Sequence, residues 1–225
     1  MASQILDGKL IAERVREEVK VRATAFEQKH GRKPGLEVVL VGDDPASHVY
    51  VNSKEKTSAL VGMRGLVHRL PASVSQSELM AKVAALNADP NVDGILVQLP
   101  LPKGFDSEAV VHSIDPRKDV DGLHPVNAGL LASGGKGLRT CTPSGCMRLL
   151  AETGTRLAGK RAIVIGRSNL VGKPIAFMLL EQNCTVTLAH SKTQDLDQRV
   201  AESDIVIAAV GVPELVKGSW IKPGA

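Results

Sequence analysis

The chain has 225 residues, a formal net charge of +4, 43% hydrophobic residues and 23% charged ones, which is typical of a globular protein and excludes a largely disordered one. Only 2% of the residues are aromatic, and no apolar run approaches the ~20 residues that span a bilayer, so neither a nucleic-acid nor a membrane partner is expected. The three cysteines include no C-x-x-C pair and the N-terminus has no apolar signal segment, which indicates a cytoplasmic protein without a metal site.

The first half of the chain predicts a helix followed by three strand–helix units. The helix begins after Asp7, which can cap it, and ends near Gly31. Strands are predicted at 36–42, 65–70 and 94–99, and helices at 46–60, after the capping box Ser75–Glu78, and after Asp106. Because strands alternate with helices, we expect a parallel sheet with helices on both faces, an α/β domain of three layers.

The middle of the chain, from about residue 115 to 142, is rich in glycine and proline and is predicted to be the least regular part. We place a domain boundary at its end, giving domains 1–142 and 143–225. A helix from Pro143 to Glu152 opens the second domain, followed by strands at 161–166, 185–190 and 204–211 and helices at 173–182 and 194–202. This alternation predicts a Rossmann-like domain, and because the chain ends before a doubly wound sheet is complete, we expect it to be C-terminally incomplete.

A glycine loop joins the first strand and helix of the second domain. The loop Gly166–Gly172 permits a tight turn, and the following helix N-terminus offers free N–H groups to a phosphate. Ser168 stands where the usual fingerprint has its second glycine. The next strand ends without the acidic residue that binds the ribose of NAD. Arg167, Ser191 and Lys192 instead offer positive charge and donors for a 2′-phosphate, which favours NADP over NAD.

Tyr50 and Lys54 lie one turn apart on a predicted helix, so they share one face. Alone, this pattern also fits a solvated lysine beside a half-buried tyrosine. However, the pair follows a strand end, and so do Gln98 and the two carboxylates Asp119 and Asp121, at the sheet edge where open α/β sheets bind ligands. Short-chain dehydrogenases share the Tyr–Lys pattern but place it after the glycine loop. Here it comes before the loop, so that class is not indicated.

Five segments in this order give the chain a specific resemblance: VGDDPASHVYVNSKEKTSALVGM, QSELMAKVAALNADPNVDGILVQLPLP, DPRKDVDGLHPVNAGLL, TCTPSGC and GRSNLVGKP. With them the chain resembles the bifunctional methylenetetrahydrofolate dehydrogenase/cyclohydrolase family over essentially its whole length. Two departures stand out. Thr140 occupies a position where the family usually has proline, and the C-terminal PGGVGP-x-T motif is missing.

The resemblance implies a two-step reaction of one-carbon metabolism, oxidation of 5,10-methylenetetrahydrofolate by NADP and then hydrolysis to 10-formyltetrahydrofolate, in a homodimer. It implies that Lys54 is the acid/base residue, that Gln98 positions its amine, that Tyr50 stacks on the folate and that Asp121 binds the pterin, whereas Asp119 is structural. Further substrate contacts are implied for Ser47, Leu99 and Pro100. Cofactor contacts are implied for Gly166, Arg167, Ser168, Gly172, Ser191 and Thr142.

Two alternatives remain open at this point. The early end of the chain allows a catalytically impaired fragment that still binds NADP or a partner subunit. The two-domain plan also allows another nicotinamide enzyme, such as a dehydrogenase of the shikimate type. Turnover of the folate substrate separates both alternatives from the bifunctional enzyme.

Overall fold

The structure, a computed structural model, describes residues 5–225, so the first four residues of the predicted N-terminal domain lie outside it. The chain divides into two compact units, one formed by Gly8–Pro125 and one that contains Val126–Ala225. Each unit is built around a three-stranded parallel sheet. The predicted α/β class with two domains is therefore confirmed, while the domain limits 1–142 and 143–225 stay a prediction.

The first unit alternates strands and helices as the sequence predicts. Its elements are α1 (Gly8–His30), β1 (Gly35–Val41), α2 (Pro45–Leu60), β2 (Arg64–Leu70), α3 (Gln76–Ala88), β3 (Gly94–Val97) and α4 (Ser107–His112). The sheet order is β2-β1-β3, with Val39 of β1 opposite both His68 and Val97. The central position of β1 explains the apolar run Val38–Val41 at its end, because both faces of the strand are covered.

Two apolar clusters cover the two faces of this sheet and make the unit three layers thick. Alternate residues of β1 supply them: Val39 packs with α3 residues such as Leu79, and Val38 packs with Val51 of α2. Glu37 is the exception on this strand. It is buried, and its carboxylate pairs with Arg64 at 2.8 Å and His68 at 2.7 Å, so the charge is compensated where it is withdrawn from water.

Local signals in the sequence fix where the helices begin. The predicted capping box at α3 is confirmed, since the hydroxyl of Ser75 accepts from the N–H of Glu78 and the Glu78 carboxylate accepts from the N–H of Ser75. Asp106 caps α4 by accepting from the N–H of Ala109 at 2.9 Å. Gly62 follows Val61, the C-cap of α2, and has φ +80°, a conformation that glycine adopts without strain.

The middle and second half contain seven further elements. They are α5 (Pro125–Ala132), α6 (Cys141–Glu152), β4 (Arg161–Ile165), α7 (Gly172–Glu181), β5 (Thr185–Ala189), α8 (Leu196–Ala201) and β6 (Ile205–Ala208), and a short 3₁₀ turn follows at Gly218–Trp220. The sheet order is β5-β4-β6, all parallel. Within residues 5–225, no helix combines the length and the apolar character that crossing a membrane requires.

The structure differs from the prediction at strand ends and in the middle segment. β3 and β6 end at Val97 and Ala208, two and three residues earlier than predicted, although the N–H of Gln98 still donates to Val39 at 2.8 Å. The segment predicted to be irregular contains α5, which begins at Pro125, a residue that is favoured in the first turn because it lacks an N–H.

Candidate active site

The start of α2 is fixed by the loop that follows β1. The carboxylate of Asp44 accepts from the N–H of Ser47 at 2.8 Å, and Pro45 occupies the first turn. Hydrogen bonds from Ser47 lower the pKa of Asp44; the larger effect comes from the Ser47 side chain and the smaller one from its backbone N–H. Ser47 is buried beneath this turn. The capped start sets the register of the helix, which carries Tyr50 and Lys54 one turn apart.

Lys54 of α2 and Gln98 after β3 meet, although they lie far apart in the sequence. The Nζ atom of Lys54 donates to Oε1 of Gln98 at 3.1 Å. The Nε2 atom of Gln98 donates to the backbone carbonyl of Leu99 at 2.7 Å, which fixes the orientation of the amide. Lys54 therefore has a neutral acceptor as its partner.

Asp121 belongs to the same neighbourhood. Burial raises its pKa, the Lys54 ammonium lowers it, and the Asp119 carboxylate raises it further. Asp119 is only 1% exposed, and its carboxylate accepts from the backbone N–H of His124 at 2.8 Å, which suits a structural role. Lys54, Gln98 and Asp121 thus lie in one neighbourhood, as their positions after strand ends lead one to expect. Asp121 is the more accessible of the two carboxylates.

The remaining residues predicted to contact substrate differ in their accessibility. Tyr50 is 64% exposed on α2, Pro100 is exposed and Leu99 is half-buried. Side chains of α1 and α2, among others, line an open and mostly apolar groove of about 370 Å³, which Lys54 borders. The buried Ser47 holds the helix start, and its contact with substrate stays a prediction.

In the second unit, the loop between β4 and α7 closes tightly on itself. Gly166 has φ +117°, and a Cβ at this position would lie 2.3 Å from the carbonyl oxygen of Ala209. A Cβ at Gly172 would lie 2.1 Å from the carbonyl oxygen of Gly166. The hydroxyl of Ser168 accepts from the N–H groups of Val171 and Gly172, at 3.2 and 3.3 Å. Only glycine therefore fits at both ends of this loop.

The exposed groups around this loop suit an anionic ligand. Arg167, Ser168 and Ser191 are exposed, and so is Thr142 in the first turn of α6. The N-terminus of α7 adds the positive end of a helix dipole. This set of donors fits the phosphates of a dinucleotide. Within residues 5–225, no group of three or more His, Cys, Asp or Glu side chains is arranged to hold a metal ion.

Sequence reasoning missed two contacts that shape the site. The Leu99 carbonyl, which orients Gln98, leaves no trace in the sequence because every residue has a carbonyl. The side chain of Lys118 donates to backbone carbonyls at the end of α3, including that of Asn87 at 2.8 Å.

Two family models match the chain. The tetrahydrofolate dehydrogenase/cyclohydrolase catalytic domain matches residues 6–121. The NAD(P)-binding domain of the same family matches residues 140–225.

Relatives with known names match along the whole chain. The bifunctional protein FolD of Rhodopseudomonas palustris (strain BisA53) is 56% identical over 225 residues, which are 100% of this chain and 76% of the relative. FolD of Sorangium cellulosum is 57% identical over 100% of this chain and 79% of the relative. Among solved structures, FolD of Campylobacter jejuni is 42% identical with a TM-score of 0.95, covering 98% of this chain and 78% of that one. The Trypanosoma brucei enzyme, in complex with NADP cofactor and inhibitor, is 38% identical with a TM-score of 0.93, covering 99% and 77%.

Proposed function

The chain belongs to the tetrahydrofolate dehydrogenase/cyclohydrolase family, and from this membership and its site we infer the reaction that it catalyses. It oxidises 5,10-methylenetetrahydrofolate to the 5,10-methenyl cation with NADP, and then hydrolyses the cation to 10-formyltetrahydrofolate. It is thus both an oxidoreductase and a hydrolase of one-carbon metabolism. Similarity over the whole chain favours this reaction over that of a shikimate-type dehydrogenase, and no observation favours the alternative of an impaired fragment.

The contact between Lys54 and Gln98 carries the assignment of the catalytic residues. In the hydrolytic step, water adds to the cationic methenyl carbon and gives up one proton. The proton of the resulting hydroxyl then passes to the leaving ring nitrogen as the ring C–N bond breaks and the formyl C=O forms. We assign Lys54 as the base that takes the first proton. Gln98 holds the Lys54 nitrogen at 3.1 Å through its neutral amide oxygen.

Asp121 and Tyr50 are assigned to binding the folate. Asp121 is half-buried, and burial and the charge of Asp119 both raise its pKa, so its carboxylate gains from two N–H donors. The donor edge of a pterin offers such a pair, which a carboxylate can accept in a bidentate manner. The exposed ring of Tyr50, one turn from Lys54, offers a flat face for stacking.

The residues assigned to the cofactor lie in the second unit. NADP, when bound, supplies the acceptor for the hydride. The loop Gly166–Gly172 and the positive end of the α7 dipole would face its phosphates, and Thr142 would contribute a hydroxyl. Arg167 and Ser191 hold the 2′-phosphate, where a planar guanidinium can donate twice.

The test compares two lysines of α2. Lys54→Met keeps the length of the side chain and removes the amine, whereas Lys56→Met changes an exposed lysine on the same helix. We expect Lys54→Met to lower kcat of the cyclohydrolase by about a hundredfold or more, and Lys56→Met to leave it unchanged. Hydrolysis of the methenyl substrate is followed by absorbance, and unfolding temperatures confirm that both variants fold. Equal activity of the two variants would remove Lys54 from the mechanism.

We also propose that the protein acts as a homodimer in the cytoplasm. β5 is an edge strand of its sheet, and Thr187 and Leu188 on it are exposed, which leaves a strand ready to pair with a second copy. The three cysteines of the sequence form no C-x-x-C pair, which fits a reducing compartment. Leu188→Lys should yield a monomer in light scattering, while Leu180→Lys, at an exposed position on α7, should not. A dimer in both variants would refute the role of this edge.

A further inference from the structure

Lys118 makes three hydrogen bonds from a single ammonium group to the end of α3. Its Nζ donates to the carbonyl oxygens of Leu86 at 3.3 Å, of Asn87 at 2.8 Å and of Asp89 at 2.8 Å. The last carbonyls of a helix have no partner within the helix, and a cation there also meets the negative end of the helix dipole. Lys118 therefore uses all three of its N–H donors to bind the segment that contains it to α3.

Asn87 holds the same segment from the other side. Its Nδ2 donates to the carbonyl of Ser113 at 2.7 Å, and its Oδ1 accepts from the N–H of Asp115 at 2.9 Å. The backbone of Lys118 is also bound, because its carbonyl accepts from the N–H of Ile95 in β3 at 2.7 Å. The segment 113–118 is thereby fixed to both the helix and the sheet.

Asp121 follows directly after this fixed segment. Asp119 forms a parallel bridge with Ile95, and its carbonyl accepts from the N–H of Gly122 at 3.1 Å, so the turn that presents Asp121 begins at the residue next to Lys118. The charge of Asp119 raises the pKa of Asp121, so the two carboxylates of this turn repel each other. The hydrogen bonds of Lys118 hold the turn in place against this repulsion.

We propose that Lys118 is a positioning residue for substrate binding: its ammonium, bound to the carbonyls at the end of α3, holds the Asp119–Gly122 turn so that the Asp121 carboxylate meets the donor edge of the pterin. This inference rests on the proposed function, in which Asp121 binds the folate. Lys118 itself bonds to backbone carbonyls of α3 and acts on the substrate through Asp121.

The experiment separates the KM for methylenetetrahydrofolate from kcat in the full chain. Lys118→Met removes the ammonium and keeps the aliphatic stem. We expect it to raise KM by about tenfold or more, the effect of losing hydrogen bonds from a charged donor, with kcat changed less than about threefold. The matched control is Arg117→Met, which removes a largely exposed cation of the same segment, one that pairs with Asp115. It should leave both constants unchanged.

A double-mutant cycle with Asp121→Asn tests whether Lys118 acts through Asp121. If it does, adding Lys118→Met to Asp121→Asn raises KM little further. Independent, multiplying effects on KM would overturn the inference, as would an equal effect of Arg117→Met. If Asp121→Asn alone leaves KM unchanged, the failure lies in the assignment of Asp121. Should Lys118→Met not fold, Asn87→Ser loosens the same segment and must show the same rise in KM.

Discussion

At Gly65, β2 packs closely against α2. We predict that a methyl group added at Gly65 disturbs the contact between Lys54 and Gln98. A Cβ at Gly65 would lie 2.7 Å from Cβ and 3.0 Å from Oγ of Ser58. Carbon atoms in contact stay about 3.5–4.0 Å apart, so Gly65→Ala must push the helix outward by about 1 Å. Ser58 is 6% exposed, and its Cβ is fixed to the backbone, so no rotation relieves the clash.

This displacement reaches the reactive amine, because Lys54 lies one turn before Ser58 on the same helix. A shift of about 1 Å stretches the contact of 3.1 Å between Lys54 and Gln98 to about 4 Å, beyond a hydrogen bond. Misplacement on this scale costs up to about a hundredfold in rate. We expect kcat of the cyclohydrolase to fall between about tenfold and a hundredfold in Gly65→Ala, with a loss of about 1–3 kcal/mol in the free energy of unfolding.

A compensating change makes the argument testable. Ser58→Gly removes the obstructing Cβ, so the double variant Gly65→Ala/Ser58→Gly should regain most of the rate lost by Gly65→Ala alone. Ser58→Gly by itself should cost about 1 kcal/mol of stability, the usual cost of glycine inside a helix, with little change in rate. Kinetics and urea unfolding of the three variants measure both effects. Full activity of Gly65→Ala, or no recovery in the double variant, would refute the reasoning.

Three further predictions concern other positions. Gly172→Ala forces a methyl group to within 2.1 Å of the Gly166 carbonyl, so titration calorimetry should show NADP binding weakened at least about tenfold, while hydrolysis of the methenyl substrate persists. Thr140 is 1% exposed, and its hydroxyl has no hydrogen-bond partner within residues 5–225, so Thr140→Val should raise the free energy of unfolding by about 1 kcal/mol in urea titrations. Burial raises the pKa of Asp121, so the carboxylate present at neutral pH destabilises the folded state, and this cost disappears as the pH falls below the ordinary range of aspartate. Asp121→Asn should therefore melt at a higher temperature than the wild type at pH 7, and the difference should shrink in acid; a constant difference would contradict the cause given.

The sequence predicted the elements well where local chemistry decides them. The capping box of Ser75 and the cap at Asp106 mark helix starts, and the apolar run of β1 marks a strand that is covered on both faces. The strand ends were less predictable: β3 stops at Val97, where its pairing with β1 ends, and not at the leucine two residues later. α5 was missed because its glycine- and proline-rich surroundings indicate a loop.

The sequence also predicted part of the site, because the order of strands indicates which residues share a sheet edge. Parallel strands deliver the residues that follow them to one edge, so the meeting of Lys54, Gln98 and Asp121 could be expected from their positions. The orientation of the Gln98 amide could not, since it depends on a backbone carbonyl. The contacts of Lys118 with α3 join segments whose packing the sequence does not encode locally.

The acceptor that Gln98 presents to Lys54 also determines the direction in which the lysine can act. Oε1 of Gln98 can only accept, and its Nε2 is engaged by the Leu99 carbonyl, so Lys54 must donate to Gln98 whether it carries three protons or two. In the amine form, the nitrogen lone pair consequently points away from the amide. The glutamine thus orients the lysine nitrogen as well as holding it. A water molecule that gives its proton to the lone pair must approach from the side away from the amide.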